Sequence, residues 1–344
     1  MEKFKHWPLT MMAVALLLSG CGPDPAGLDP TPSQVSPVEV PEAETTTQAI
    51  ADRISLVQTF SAHDGRVLDL AFSSGGEYLA SSGRDLEIKL WDPGSGEALG
   101  SFLMRSVDMG DIDISRQGDL LASGEAIWDL ETGLEVLILN RGSVLPAFVA
   151  FSPDGGTLAL APLDQETSLW DLEIGEPAYA FPRMEETRTK RMEFSPDGTL
   201  LAEAVIDGSI RIWNVERGEL IRTLQYPGET DIHDIGFSPD GKYLANVGRL
   251  PRVVVWDIAS GEAIQAFRTR DNMNGVAFSA DSRILAASAG AENAVLLWDL
   301  ESGDSLGSLP LADQSMALDF SPDGRWLAAG TFSGEIFIWA VSPQ

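Results

Sequence analysis

From residue 51 onward the chain is a succession of short apolar or alternating runs separated by turn-forming residues. Val67 to Phe72 reads as an apolar strand ending in Phe, and a turn follows it. The turn is spelled most clearly as Phe-Ser-Pro-Asp-Gly, at 151–155, 194–198, 237–241 and 320–324. Pro presets φ at the second turn position, Asp bonds its own backbone, and Gly accepts positive φ. A second strand carries Leu-Ala, as at Leu244-Ala245. A third alternates into Trp, as in Ile210-Arg211-Ile212-Trp213, and a Gly-containing turn leads to a fourth, such as Glu219 to Leu224. No helical period is present in these units.

The Phe that opens the turn has counterparts at Phe72, Ile114, Phe151, Phe194, Phe237, Phe278 and Phe320. Seven of the nine tryptophans keep register with them: Trp91, Trp128, Trp170, Trp213, Trp256, Trp298 and Trp339, spaced 37, 42, 43, 43, 42 and 41 residues apart. A four-stranded unit repeated every ~40–45 residues is the signature of a propeller blade. The protein is therefore expected to be all-β, a seven-bladed β-propeller of four-stranded antiparallel blades over residues 51–344. Trp-Asp at 91–92, 128–129, 170–171, 256–257 and 298–299 resembles the WD-repeat β-propeller family. A fourth strand follows six of the tryptophans, but only five residues follow Trp339. Ile54 to Phe60 resembles the missing strand, and family members close the ring by pairing such an N-terminal strand with the last blade. That pairing removes an open sheet edge. The second unit is five residues shorter before Trp128, with Ser123-Gly124-Glu125-Ala126 in place of a full turn, which predicts a truncated hairpin and a notch at the rim.

The first fifty residues read differently. Lys3 and Lys5 precede an apolar stretch, Leu9 to Leu18, broken only by Thr10, and small residues follow. This is the layout of a secretory signal over residues 1–20, too short to span a bilayer core of about 30 Å. Leu18-Ser19-Gly20-Cys21 resembles the lipobox of bacterial lipoproteins, which implies lipid attachment at Cys21, the sole cysteine of the sequence. By the same resemblance, Gly22 after that cysteine favours outer-membrane sorting where two membranes exist. Residues 21–50 hold six prolines and no Lys or Arg, as a mobile tether does. The expected location is the bacterial cell envelope, lipid-anchored and extracytoplasmic. The net charge is −29, and residues 1–20 carry +1 of it. An acidic surface of that size argues against nucleic acid and against polybasic membrane docking.

Candidate chemistry is sparse. The family resemblance implies a hydrogen-bonded tetrad of His63, Ser81, Asp85 and Trp91, in which a hydrolase-like Ser, His and Asp serve structure rather than catalysis. Other units lack the His, so buried tryptophans are expected to anchor those blades by packing. His63 and His233 have no cysteine beside them, and Asp111-Ile112-Asp113 is too short for a calcium loop, so neither metal nor cofactor is indicated. The resemblance implies a binding face built from loops before the first strand and between the second and third. Its candidate residues are Asp64, Arg84, Asp111, Arg191 and Arg249. The expected function is a non-catalytic, membrane-tethered scaffold that binds another protein. The competing expectation is an extracytoplasmic hydrolase, lyase or carbohydrate binder that uses the central channel.

Overall fold

Each Phe-Ser-Pro-Asp-Gly copy closes a hairpin in the same way. The Gly155 N–H donates to the Ser152 carbonyl at 2.8 Å, with Gly155 at φ +73°. A side chain there would be strained, which is why glycine holds the position. Ser152 Oγ donates to Asp154 Oδ1 at 2.5 Å and accepts from the Thr157 N–H at 2.9 Å. The same contacts recur around Ser195, Ser238 and Ser321.

A computed structural model describes residues 53–104, 110–124, 126–139, 147–163, 165–182 and 188–342. These hold 28 strands, β1 to β28 in sequence order, in seven four-stranded sheets, with no helix among the described residues. The first blade is β2 (Val67–Phe72), β3 (Leu79–Gly83), β4 (Glu87–Trp91) and β5 (Ala98–Leu103), all pairings antiparallel. The strand ending at the register Phe is the innermost of its blade and lines a central channel. The last blade takes β26 (Ser315–Phe320), β27 (Trp326–Thr331) and β28 (Glu335–Val341), and completes itself with β1 (Ile54–Ser61). β1 pairs from Ile54 opposite Val341 to Ser61 opposite Glu335, with a bulge between Leu56 and Gln58. The ring is thus closed by the N-terminal strand.

The core lies between blades. Trp91, Trp128, Trp213, Trp256, Trp298 and Trp339 are buried. Five of them meet an aromatic ring from the outer part of the preceding blade: Phe60, Phe102, Phe181, Tyr226 and Phe267, at centroid distances of 4.6 to 6.4 Å. Such pairs add about 0.5–1.5 kcal/mol beyond area burial. Trp170 differs. It is only half-buried and packs on Leu139 and Leu137 of the preceding blade, where five of the other tryptophans meet a ring.

Blade 2 is the shortest. Its second and third strands, Leu120–Ser123 and Ala126–Asp129, have four residues each, and the second strand has five or six in every other blade. A Cβ on Gly124 would fall 2.2 Å from the Ala147 carbonyl oxygen of blade 3. The short hairpin therefore presses backbone on backbone against its neighbour.

Candidate interaction face and central channel

In five of the blades one repeated bond ties the loop before the inner strand to the turn between second and third strands of the same blade. The donor–acceptor pairs are Arg84 N–H to the Arg66 carbonyl, Ile206 to Arg188, Arg249 to Asp231, Gly290 to Asn272 and Phe332 to Gln314, at 2.9–3.2 Å. The two loop families therefore share one face of the ring. Asp64, Arg84 and Arg249 are exposed on it. The Asp64 N–H donates to Asp85 Oδ2 at 3.0 Å, while Arg84 and Arg249 have no carboxylate partner among the described residues.

Asp111 and Arg191 do not lie with them on the rim. Arg191 stands within the inner strand of blade 4 (Thr189–Phe194) and turns into the channel. Its Nη2 donates to Asp69 Oδ1 at 2.7 Å, its Nε to Asp234 Oδ1 at 3.0 Å, and its Nη1 to Asp111 Oδ1. One side chain from blade 4 thus reaches acids of blades 1, 2 and 5. It crosses the channel above a cavity of about 570 Å³. Three more acids, Asp113, Glu193 and Asp319, line that cavity one pleat further along.

These carboxylates have a structural task. The inner strand is an edge, so N–H groups along it lack a sheet partner. Asp69 Oδ2 accepts from the Ile112 N–H, Asp111 Oδ2 from Val149, and Asp234 Oδ2 from Val276, at 2.6–3.1 Å. Asp113 Oδ2 accepts from Phe151, Glu193 Oε2 from Phe237, and Asp319 Oδ2 from Phe72, at 2.7–3.0 Å. Every acceptor belongs to one blade and its donor to the next. Blade 3 carries Phe148 and Ala150 at these two positions, and blade 6 carries Gly275 and Ala277, so neither makes such a bond.

One guanidinium cannot balance six carboxylates. Burial raises Asp111 and Asp319 to about 8 and Asp113 to about 7, and raises Glu193 and Asp234 as well. Neighbouring acids push in the same direction, and the donated N–H groups push against it. Burial also works against the Arg191 charge, but Asp69, Asp111 and Asp234 hold it firmly protonated.

His63, Ser81, Asp85 and Trp91 are brought together in blade 1. Trp91 Nε1 donates to Ser81 Oγ at 2.8 Å, Ser81 Oγ lies 2.7 Å from His63 Nε2, and His63 Nδ1 lies 2.9 Å from Asp85 Oδ1. Burial lowers the His63 pKa, so the ring is neutral near pH 7. A neutral ring accepts the Ser81 hydroxyl hydrogen bond at Nε2 and donates at Nδ1 to Asp85. This is the geometry of a hydrolytic triad without its access: Ser81 is 0% exposed, and its oxygen already accepts the indole N–H. The hydroxyl cannot reach a substrate.

Blades 4 and 5, which lack the His, find substitutes at the position ten residues before Trp, whereas the buried Trp298 Nε1 of blade 6 has no hydrogen-bond partner among the described residues. Trp213 Nε1 donates to Glu203 Oε2 at 3.0 Å, and Trp256 Nε1 to Asn246 Oδ1 at 2.7 Å. Glu203 Oε1 also accepts from Thr167 and Thr189, which bracket the contact of blades 3 and 4. Packing alone does not hold these blades, contrary to the expectation from the absent His. The signal in the sequence is a polar residue, Ser81, Glu203 or Asn246, in strands otherwise rich in Ala and Leu.

Comparison with known proteins bears on the family. Residues 54–92, 261–299 and 308–340 match the family "WD domain, G-beta repeat", and 179–238 match "Anaphase-promoting complex subunit 4 WD40 domain". These matches support a WD-repeat family. Among curated relatives, the protein is 32% identical over 138 residues to nuclear distribution protein PAC1 of Arthroderma otae, covering 36% of this sequence and 30% of that one. It is 38% identical over 68 residues to human WD repeat-containing protein 36, covering 20% and 8%. It is 29% identical over 130 residues to COMPASS component SWD3 of Saccharomyces cerevisiae, covering 34% and 41%. The protein thus spans under half the length of each of these relatives. WD-repeat propellers are generally non-catalytic platforms for protein partners. The sealed hydroxyl of blade 1 accords with that class.

Proposed function

We propose that this protein is a membrane-tethered, non-catalytic scaffold that captures a partner protein outside the cytoplasm. In this reading residues 1–20 are removed as a signal peptide and Cys21 carries the lipid. The tether is 21–50, and residues 51–344 form the propeller. The observation that carries the binding part is the pair of exposed, unpaired guanidinium groups, Arg84 and Arg249, on one face of a protein with net charge −29. Such groups are enriched at protein interfaces and give electrostatic steering to an acidic partner patch. The tether reading rests on Leu18-Ser19-Gly20-Cys21 and on proline-rich residues 22–50. A coil of that length reaches about 30 Å on average, enough to clear headgroups.

Crosslinking and pull-down from native membranes test the face. Arg84→Glu with Arg249→Glu should lower partner capture at least tenfold, with circular dichroism and melting unchanged. Capture at wild-type strength by the double variant refutes the reading. Cys21→Ser tests the anchor. It should release the protein from membranes or leave the precursor uncleaved, and unchanged fractionation together with unchanged mass defeats the lipid assignment.

A further inference from the structure

The loop face holds a second cavity, of about 250 Å³, where blades 6, 7 and 1 meet. Its most distinctive wall is a stacked pair: the Arg66 guanidinium lies 4.5 Å from the centroid of the Phe332 ring. Stacking covers one flat side of the fork and leaves its N–H edges to bond in plane. Arg66 has no carboxylate partner among the described residues, although the sequence holds 52 Asp and Glu against 23 Lys and Arg. Phe332 is 46% exposed, a large aromatic surface left open on the face.

The pair is held in position by the ring closure. The Ala62 and His63 N–H groups both donate to the Gly334 carbonyl, at 2.8 and 3.1 Å, which clamps the loop before blade 1 onto the turn of blade 7. Gly334 sits at φ +90°, and a Cβ there would meet the His63 carbonyl oxygen at 2.2 Å. Only glycine permits this approach. Asn272, Asn274 and Gln314 line the same cavity with neutral amides, and Met316 adds an apolar surface. Asn274 Nδ2 is committed to the Ser315 carbonyl at 2.8 Å, so that amide is oriented.

A fork-shaped cation, neutral amides and an apolar wall select a particular chemistry. The guanidinium matches an oxyanion with two coplanar oxygens. Asp271, also in the wall, opposes a dianion and so disfavours phosphate relative to a monoanionic carboxylate. We propose that this cavity binds a carboxylate of a partner polypeptide, whether an Asp or Glu side chain or a free C-terminal carboxylate. An adjacent apolar side chain of the partner lies on Phe332 and Met316, and the amides meet its backbone. The inference rests on the reading of this face as a docking surface and names the chemistry of what docks.

Random heptapeptides displayed with free C-termini and, separately, as internal loops are panned on the full-length protein. Enriched peptides are then synthesised and titrated by fluorescence anisotropy. Enriched sequences should place an acidic residue, or the free terminus, beside an apolar residue. Their affinity should fall at least tenfold when that carboxylate is made a carboxamide, and equally with Arg66→Gln or Phe332→Ala. Arg66→Lys, which keeps the charge but not the fork, should give an intermediate loss. Which library is enriched tells the two carboxylate sources apart. Peptides that lose affinity with Arg84→Glu and Arg249→Glu but not with Arg66→Gln overturn this inference and leave the face reading standing. Peptides indifferent to all these changes overturn both, and no enrichment from either library overturns the carboxylate site.

Discussion

Replacing Asp319 by Asn removes one titrating group from the channel wall while keeping an acceptor for the Phe72 N–H that joins blade 7 to blade 1. Burial raises Asp319 to about 8, with Asp69, Asp113 and Asp234 adding repulsion, against an ordinary value of 3.8. Between those two values the folded protein keeps a proton that the unfolded protein has released. Raising the pH through that window therefore favours unfolding, and the contribution is fully present only below about pH 4. One proton of difference corresponds to about 1.4 kcal/mol per pH unit. Asp319→Asn should thus match the wild type near pH 4 and gain on it by up to about 2–3 kcal/mol between pH 5 and pH 7. Asp111 and Asp113 retain their own slopes, because a protonated Asp319 carries no charge for them to lose. Urea unfolding followed by tryptophan fluorescence at pH 5, 6 and 7 reads the difference directly. Parallel pH profiles for the two proteins, or a variant that loses ground as pH rises, would refute the claim that Asp319 is protonated in the fold.

Three further outcomes are expected. Deleting residues 51–60 strips β28 of its outer partner and should cause aggregation or a large fall in thermal midpoint, while deleting 22–45 should not; equal midpoints count against the closure. Because burial lowers the His63 pKa, the unfolded protein binds the extra proton first, so stability should fall as pH drops below about 6.5. His63→Ala should remove that acid-side slope and cost about 1–3 kcal/mol at pH 7, and an unaltered slope points to another group. Gly124→Ala drives a Cβ into the Ala147 carbonyl and should cost about 1–3 kcal/mol, checked by the same urea titration. A neutral result there means the blade 2 hairpin can shift.

The blades are legible because each is a local unit: turn, alternation and Trp recur within about 42 residues, and the short Ile54 to Phe60 run has the shape of the strand missing after Trp339. The channel is not legible in the same way. Asp69, Asp111 and Asp234 sit three residues before the register Phe or its equivalent, and Asp113, Glu193 and Asp319 one before. An acid at the inner edge of one strand acquires its partner only when the next blade is brought alongside. Sequence alone puts Arg191 with the loops, since its neighbours give no hint of three carboxylates more than forty residues away. The tetrad of blade 1 is visible by spacing, whereas Glu203 and Asn246 serve the same indole with unrelated side chains. A search for His cannot find them.

The carboxylate bonds between neighbouring inner strands run from blade 7 through 1 and 2 to 3, and again from 4 through 5 to 6; the junction of blades 6 and 7 has only the amide of Asn274 on the Ser315 carbonyl among the described inner-strand side chains, and no carboxylate bond joins blades 3 and 4. Along its inner wall the ring is therefore two crescents laid end to end, and Arg191 is the crossbar that ties one to the other. A load applied to the face, such as a bulky partner prying at the rim, would spread into each crescent as a unit and concentrate along the single diameter that separates them. The carboxylate cavity at blades 6, 7 and 1 stands on one end of that diameter, beside the Asn274 bond to Ser315, where a docked polypeptide would add a further bridge.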